Sequence, residues 1–395
     1  MNILFLAPHP FYQDRGTAIA EDLLLMTLDR RDCRIDLVTY HEGKTIEYKN
    51  VSIHRIFKIP FVRNIPPGFS WKKLVCDFFM LFKVLALVFR NRYHFVYAVE
   101  ESVFIALVLK FLFRIPYIYD MDSSLPQQLV EKHPGFALFN PLLKFSETIA
   151  IKNSEVVVPV CDSLAEIVEK HNPKKVVTLR DVSLLKDIKS EHENGLKKEL
   201  GTEGLIIMYV GNLEAYQGID LLLKSFALTL SKIDKADLVI IGGTFIDIQR
   251  YNEMCLLLGI SNKVHFLGPK PVESLSEYLS QADILVSPRI KGNNTPMKIY
   301  SYLHSGKVVL ATNLRTHTQV LNNQVAVLTD PFPEEFSKGM LALMRDKDLS
   351  LQLGMAGKKL IEEKYSYGSF KKEVDGLYDW LEIRFSGQDT VVENR

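Results

Sequence analysis

Residues 288–312, PRIKGNNTPMKIYSYLHSGKVVLAT, gather the residue types that can hold a phosphate. A polar loop rich in glycine and asparagine runs into a helix expected to open at Pro296 and stop at Gly306. A buried strand from Val308 to Ala311 follows. A helix start leaves backbone N–H groups without intrahelical partners and carries partial positive charge. With Arg289, Lys291 and Lys298 around it, this start suits an anion. No carboxylate occurs from Arg289 to Ser305. The matching chemistry is docking of nucleotide phosphates. The same residues also suit a surface loop with ordinary helix-start chemistry.

Two more loops carry glycine and small polar residues into a helix. PHPFYQDRGTAIAEDLLL follows the first strand and brings Gly16 and Thr17. GNLEAYQGIDLLLKSF follows a later strand and brings Gly211, Asn212, Gln217 and Gly218. Three such loops at three strand ends can cradle a diphosphate. Asp120 and Asp122 fall at alternate strand positions, point to one face and are able to share a divalent ion. The alternatives are a strand-end cap for Asp120 and a hydrogen-bonding role for Asp122, and no metal site is expected. Glu100 and Glu101 either line the floor of a site or serve an acidic helix start. His317 is read as helping to start the helix that follows it.

These loops must be held by regular elements, and strands alternate with helices twice along the chain. The first series places strands at 2–6, 34–39, 51–55, 95–98, 117–120, 156–159 and 176–179. The second places them at 205–210, 236–241, 264–267, 284–287, 308–312 and 325–328. The pattern predicts an α/β chain of two doubly wound, Rossmann-like domains facing a cleft, with ligands beyond the carboxyl ends of the strands. Domain boundaries are expected at 1–185 and 203–365, joined by a charged connection over 184–204. A terminal helix over 367–386 is expected to cross back to the first domain, and 386–395 to fray.

Composition narrows the function classes. The chain has 395 residues, 47% hydrophobic and 24% charged, with formal net charge +1. Nucleic-acid binders usually carry a clear basic excess, so no nucleic acid is expected as partner. Cys33, Cys76, Cys161 and Cys255 are far apart and form neither a disulfide framework nor a zinc pattern. The first residues read as a buried strand rather than a signal peptide, which favours a cytoplasmic placement. Leu74–Phe89, LVCDFFMLFKVLALVF, is aromatic-rich and flanked by Lys72, Lys73, Arg90 and Arg92. It suits a helix packed on a sheet with Lys73, Asp77, Lys83 and Arg90 solvated on one side. It also suits peripheral contact with a lipid surface, aided by the apolar loop Phe61–Phe69.

The ordered series ILFLAPHPFYQDRGT, YVGNLEAYQGIDLLL, LVIIGG, VHFLGPKP, ADILVSPR and NTPMKIYSYLHSGK resembles glycosyltransferase family 4, with its GT-B fold. The resemblance implies a retaining, metal-independent glycosyltransferase of hexosyltransferase type. Its donor substrate would be a nucleotide-sugar, with no further cofactor, and its acceptor a glycan or lipid-linked molecule. The pathway would be cell-envelope or exopolysaccharide synthesis on the inner face of the plasma membrane. By the same resemblance, Gly16 and Thr17 approach the phosphates from the first domain, and Gly211, Asn212, Gln217 and Gly218 from the second. Gly268 to Lys270 meet the base, and Asn293, Asn294 and Thr295 face the sugar and distal phosphate. Arg289 and Lys298 stabilise the departing charge.

Several positions depart from the family pattern. Ser301 stands where relatives place a ribose-binding glutamate, and Lys291 or Asn293 falls near the other usual glutamate. Asn212 and Gln217 replace an arginine and a lysine. Asp122 takes the place of a frequent histidine. These departures motivate an alternative, a non-catalytic GT-B scaffold subunit of a polysaccharide assembly system. A sugar-nucleotide epimerase on the same fold is a third reading, from which the N-terminal motif of that group is missing.

Overall fold

In the computed structural model, which describes residues 1–13, 16–66, 68, 70–132, 134–185 and 195–385, both expected doubly wound parallel sheets are present. The chain divides into two units, Met1–Arg180 with the chain from Phe370 onward, and Asp181–Ser369.

The first unit runs β1 (Asn2–Ala7), α1 (Gly16–Asp29), β2 (Arg34–Thr39), β3 (Val51–Arg55), α2 (Trp71–Val88), β4 (Phe95–Val99), α3 (Val103–Phe113), β5 (Tyr117–Met121), α4 (Leu125–Lys132), α5 (Asn140–Asn153), β6 (Val156–Pro159) and α6 (Asp162–Glu169). Its six-stranded sheet has the order β3-β2-β1-β4-β5-β6. Strands such as β1, NILFLA, are apolar throughout because helices cover both of their faces. One face packs α2, α3, α5 and α6 over Leu4, Leu6, Val96 and Ala98. The other packs α1 over Ile3, Phe5 and Phe95.

The second unit runs α7 (Gly195–Leu200), β7 (Leu205–Val210), α8 (Ile219–Leu230), β8 (Ala236–Ile241), α9 (Phe245–Leu257), β9 (Val264–Gly268), α10 (Leu275–Ser280), β10 (Ile284–Ser287), α11 (Lys298–His304), β11 (Val308–Thr312), α12 (Arg315–Thr318), β12 (Val327–Thr329), α13 (Pro333–Arg345) and α14 (Lys347–Lys364). Its order is β12-β11-β10-β7-β8-β9.

A last helix, α15 (Tyr367–Phe385), returns the chain to the first unit. Val374, Leu377, Tyr378, Leu381 and Phe385 repeat at helical spacing and enter the core beside α1. Arg31, in the turn just after α1, reaches Asp375 at 2.7 Å and Asp379 at 2.6 Å. Leu381 is fully buried, so Leu381→Ala is expected to cost about 2–5 kcal/mol of stability. A urea titration checks this, and an unchanged midpoint would mean that α15 is not part of the first unit's core.

The structure corrects four expectations. Residues 176–179 run beside β6 with one bridge, Val157 to Val176, rather than forming a strand. The connection 184–204 contains α7, whose Leu196 is buried in the second unit, while 186–194 lie outside the described residues. Also outside them are 386–395 and, within the loop 61–69, Pro67 and Phe69. The helix expected from Pro296 begins at Lys298. Pro296 and Met297 accept three-residue hydrogen bonds from Ile299 at 2.9 Å and Tyr300 at 3.2 Å, a tight turn ahead of the helix. The fourth concerns α2, expected to solvate Lys73 and Asp77. Lys73 is 5% exposed and paired with Glu101, and Asp77 accepts a hydrogen bond from Tyr40.

Candidate functional site

β7 and β10 lie side by side, yet the chain leaves β7 toward β8 and leaves β10 toward β11. Loops that part in this way open a crevice beyond the carboxyl ends of the strands. The two loops still touch at their bases. A Cβ on Gly218 would stand 2.0 Å from the Pro288 carbonyl oxygen, and one on Gly211 would stand 2.6 Å from the Lys298 ammonium.

Lys298, the first residue of α11, keeps some accessible surface, while its ammonium is closely surrounded. Nζ donates to Gln217 Oε1 at 3.2 Å and lies 3.9 Å from the Tyr209 ring centroid. No carboxylate pairs with it among the described residues. Burial, then the Arg289 guanidinium, holds its pKa well below the usual lysine value. An amide oxygen and a ring face are weaker partners for a cation than a carboxylate or phosphate.

Arg289 is buried and shapes the loop. Its Nε donates to the Lys291 carbonyl at 2.7 Å, Nη1 to the Asn294 carbonyl at 3.3 Å and Nη2 to Asn294 Oδ1 at 2.9 Å. From α12 and just beyond it, Thr316 donates to the Asn294 carbonyl at 2.7 Å and Gln319 to the Asn293 carbonyl at 2.8 Å. Thr295 is held next to them, with its hydroxyl buried and without a hydrogen-bond partner. The loop is therefore ordered by side-chain bonds to its own carbonyls.

Beneath it lies His317, fully buried between Ser287 Oγ at 2.8 Å and Thr312 Oγ1 at 3.0 Å, rather than simply opening a helix. Burial, with help from Arg289 and Lys298, holds its pKa down at about 3. The unfolded chain protonates this group near 6.5. Its contribution to stability is therefore complete above that value and lost as pH falls toward 3. His317→Gln is expected to flatten the acid limb of the stability profile, read as urea midpoints between about pH 6.5 and 3. An unaltered acid slope contradicts this.

The other residues singled out in the second unit make contacts of their own. Asn212 is exposed, and its side chain accepts from the Glu214 N–H at 3.3 Å. Gly268 ends β9, two strands from β7, and Lys270 just beyond it is exposed. Ser301 is 1% exposed and accepts the Leu184 N–H at 3.0 Å. The short serine side chain is thus engaged inside the unit.

The first unit has its own switch point, between β1 and β4. Thr17, next to Gly16 at the start of α1, hydrogen-bonds Asp122, and burial raises the Asp122 pKa. Glu100 follows β4 in a left-handed conformation, φ 46°, a strained geometry for a residue with a side chain. It accepts from Ser123 Oγ at 3.0 Å, and burial with Glu101 beside it raises its pKa to about 7. Asp120 accepts from Tyr97 Oη at 2.9 Å. Among the described residues no group of three His, Cys, Asp or Glu side chains is placed to hold a metal ion.

Sequence reasoning missed two members of this cluster, His9 and Glu21. His9 Nε2 lies 3.1 Å from Glu21 Oε2, and Glu21 is 3% exposed. Burial, then Asp122, Asp120 and Glu100, raises the Glu21 pKa well above the carboxylate range. A signal existed: Ala18, Glu21, Leu25 and Leu28 share one stripe at helical spacing, which puts a carboxyl group on the buried face.

Comparison with known proteins agrees with this architecture. Residues 191–360 match the family model "Glycosyl transferases group 1". The chain is similar to an uncharacterized glycosyltransferase of Methanocaldococcus jannaschii, 20% identical over 359 residues, 85% of this chain and 86% of that one. Sucrose-phosphate synthase from Thermosynechococcus elongatus superposes with TM-score 0.80 at 15% identity, over 97% of this chain and 99% of that one. Anabaena HepE in complex with UDP gives TM-score 0.73 at 15% identity, over 96% of this chain and all of that one. The fold is the GT-B fold, and the chain is related to group 1 glycosyltransferases through its second unit.

Proposed function

We propose that this GT-B chain transfers a sugar from a nucleoside-diphosphate sugar to a hydroxyl acceptor, with retention at the anomeric carbon and without a bound metal. The observation that carries the reading is the Lys298 ammonium, set beside Arg289 at a switch point and without a carboxylate partner. A diphosphate supplies the missing negative charge. As the sugar–phosphate bond lengthens, charge builds on the distal phosphate. Lys298, the Thr295 hydroxyl and, in the 294–297 turn, the backbone N–H groups of Asn294, Thr295 and Met297 stabilise it in place. Arg289 acts chiefly by holding that turn. The acceptor hydroxyl attacks from the face the diphosphate leaves and passes its proton to the departing phosphate, so positioning matters more than a protein base.

The carboxyl cluster of the first unit suits an acceptor rich in hydroxyls, with Asp122 accepting from one of them. We read the acceptor as a glycan or lipid-linked molecule, and the setting as envelope or exopolysaccharide synthesis at the cytoplasmic face of a membrane. Incubation with a panel of nucleotide-sugars, UDP-glucose first, tests the reading by mass spectrometry of the products. Transfer or donor hydrolysis with one donor supports it, and NMR of the product's anomeric signal decides retention. No turnover of any donor contradicts it. One observation favours a second reading, a non-catalytic scaffold: Ser301, in the ribose-glutamate position, is buried and bonded to Leu184. Diphosphate binding without any turnover is the result that second reading predicts.

A further inference from the structure

We propose that the outward faces of α2, α3 and α5 form a lipid-docking surface that seats the first unit on an anionic bilayer. The main observation is that α2 turns two of its four charged residues inward and large aromatic residues outward. Lys73 and Asp77 point to Glu101 and Tyr40, Lys72 and Lys83 stay half-buried, and Trp71, Phe78 and Phe82 point out at 60%, 58% and 53% exposure. A helix folded only for a soluble surface places these groups the other way round. α3 and α5 pack on the same sheet face as α2, so their outer sides extend the same layer. α3 adds exposed Phe111 and Leu112, and α5 adds exposed Leu142 and Phe145. Phe89, at the end of α2, meets Phe113 of α3 with ring centroids 5.4 Å apart, which joins the two faces. Exposed apolar area of this extent marks an interaction surface.

Charge selects the partner. Around this layer Lys58, Arg63, Arg90, Arg92, Arg114 and Lys144 are exposed. Between Ser70 and Val99 the sole acidic residue is Asp77, which is turned inward. A second copy docking by a two-fold would set this cationic rim against itself. An anionic lipid surface complements it. No helix among the described residues is long and apolar enough to cross a membrane, so the surface lies on the bilayer rather than through it. Lys73, bound to Glu101, takes no part, and the attachment falls to the aromatic residues with Arg90 and Arg92. The inner side of α2 reaches Glu101, next to Glu100 in the carboxyl cluster. A lipid-borne acceptor would therefore enter the unit near its site, and that step alone rests on the transferase reading.

The test is co-sedimentation of the full chain with phosphatidylcholine vesicles, with and without phosphatidylglycerol, at low and high salt. Wild type is expected to pellet with anionic vesicles at low salt and to be released by high salt. The variants F78S/F82S and R90E/R92E, each checked for an unchanged melting transition, are expected to bind at least about tenfold less. Wild type remaining in the supernatant, or F78S/F82S pelleting as well as wild type, overturns the proposal. A dimer that F78S/F82S dissolves, without vesicle binding, also overturns it and assigns the face to a second copy. Vesicle binding without sugar transfer leaves docking intact and fails the transferase reading alone. Transfer to a soluble acceptor without vesicle binding does the reverse.

Discussion

Lys298→Met is expected to lower kcat/KM for the donor by about 10²–10³-fold, the range for losing a preorganised group that stabilises charge in a transition state. The same change is expected to raise the melting temperature of the free protein. Methionine fills a similar volume, while the native ammonium is surrounded by Gln217 and the Tyr209 ring and lacks a carboxylate. Removing a poorly compensated cation relieves its desolvation cost. The opposite signs make the test selective. A structural lysine would lose stability on replacement, and one outside the site would leave turnover unchanged. Loss of the melting shift induced by nucleoside diphosphate would complete the pattern, because a ligand stabilises only the state that binds it.

Gly218→Ala is the second large effect. Its Cβ would meet the Pro288 carbonyl oxygen at 2.0 Å, and backbone atoms cannot give way as a side chain does. The residue also has φ 75°, which costs an alanine about 1–2 kcal/mol. The loops after β7 and β10 must separate, carrying Gln217 away from Lys298. A displacement near 1 Å is enough for about a 10²-fold loss of rate. Gly259→Ala, just after α9, is the control: φ is 68°, but nothing lies within 4 Å of its added Cβ. It is expected to show the backbone cost with little loss of turnover. Equal losses in both variants would mean that strain, rather than separation of the loops, controls activity.

The sheets were legible because parallel strands covered on both faces read as apolar runs, as in NILFLA and ADLVII. Strand ends then located the loops, and Gly211, Gln217, Gly218, Arg289 and Lys298 do come together at one switch point. Legibility failed where a side chain chose between two faces. α2 is apolar nearly all round, so its pattern could not say whether Lys73 pointed in or out; the answer lay in Glu101, 28 positions away by the numbering. Glu21 was hidden for a related reason. A carboxyl group on a buried stripe reads as a defect until Asp122 and Glu100 arrive from other strands. Arg289 was assigned to the phosphate by its charge, whereas its guanidinium donates to the carbonyls of Lys291 and Asn294. Only geometry tells a ligand-facing arginine from a loop-ordering one.

Calorimetric titration of the full chain with nucleoside diphosphates, each beside its parent nucleoside, tests the diphosphate site most directly. One diphosphate is expected to bind at least about tenfold more tightly than its nucleoside, since charge-assisted bonds to phosphate supply the difference. Lys298→Met is expected to remove that difference. A diphosphate and nucleoside that bind alike, or a Lys298→Met protein that still prefers the diphosphate, would contradict this site.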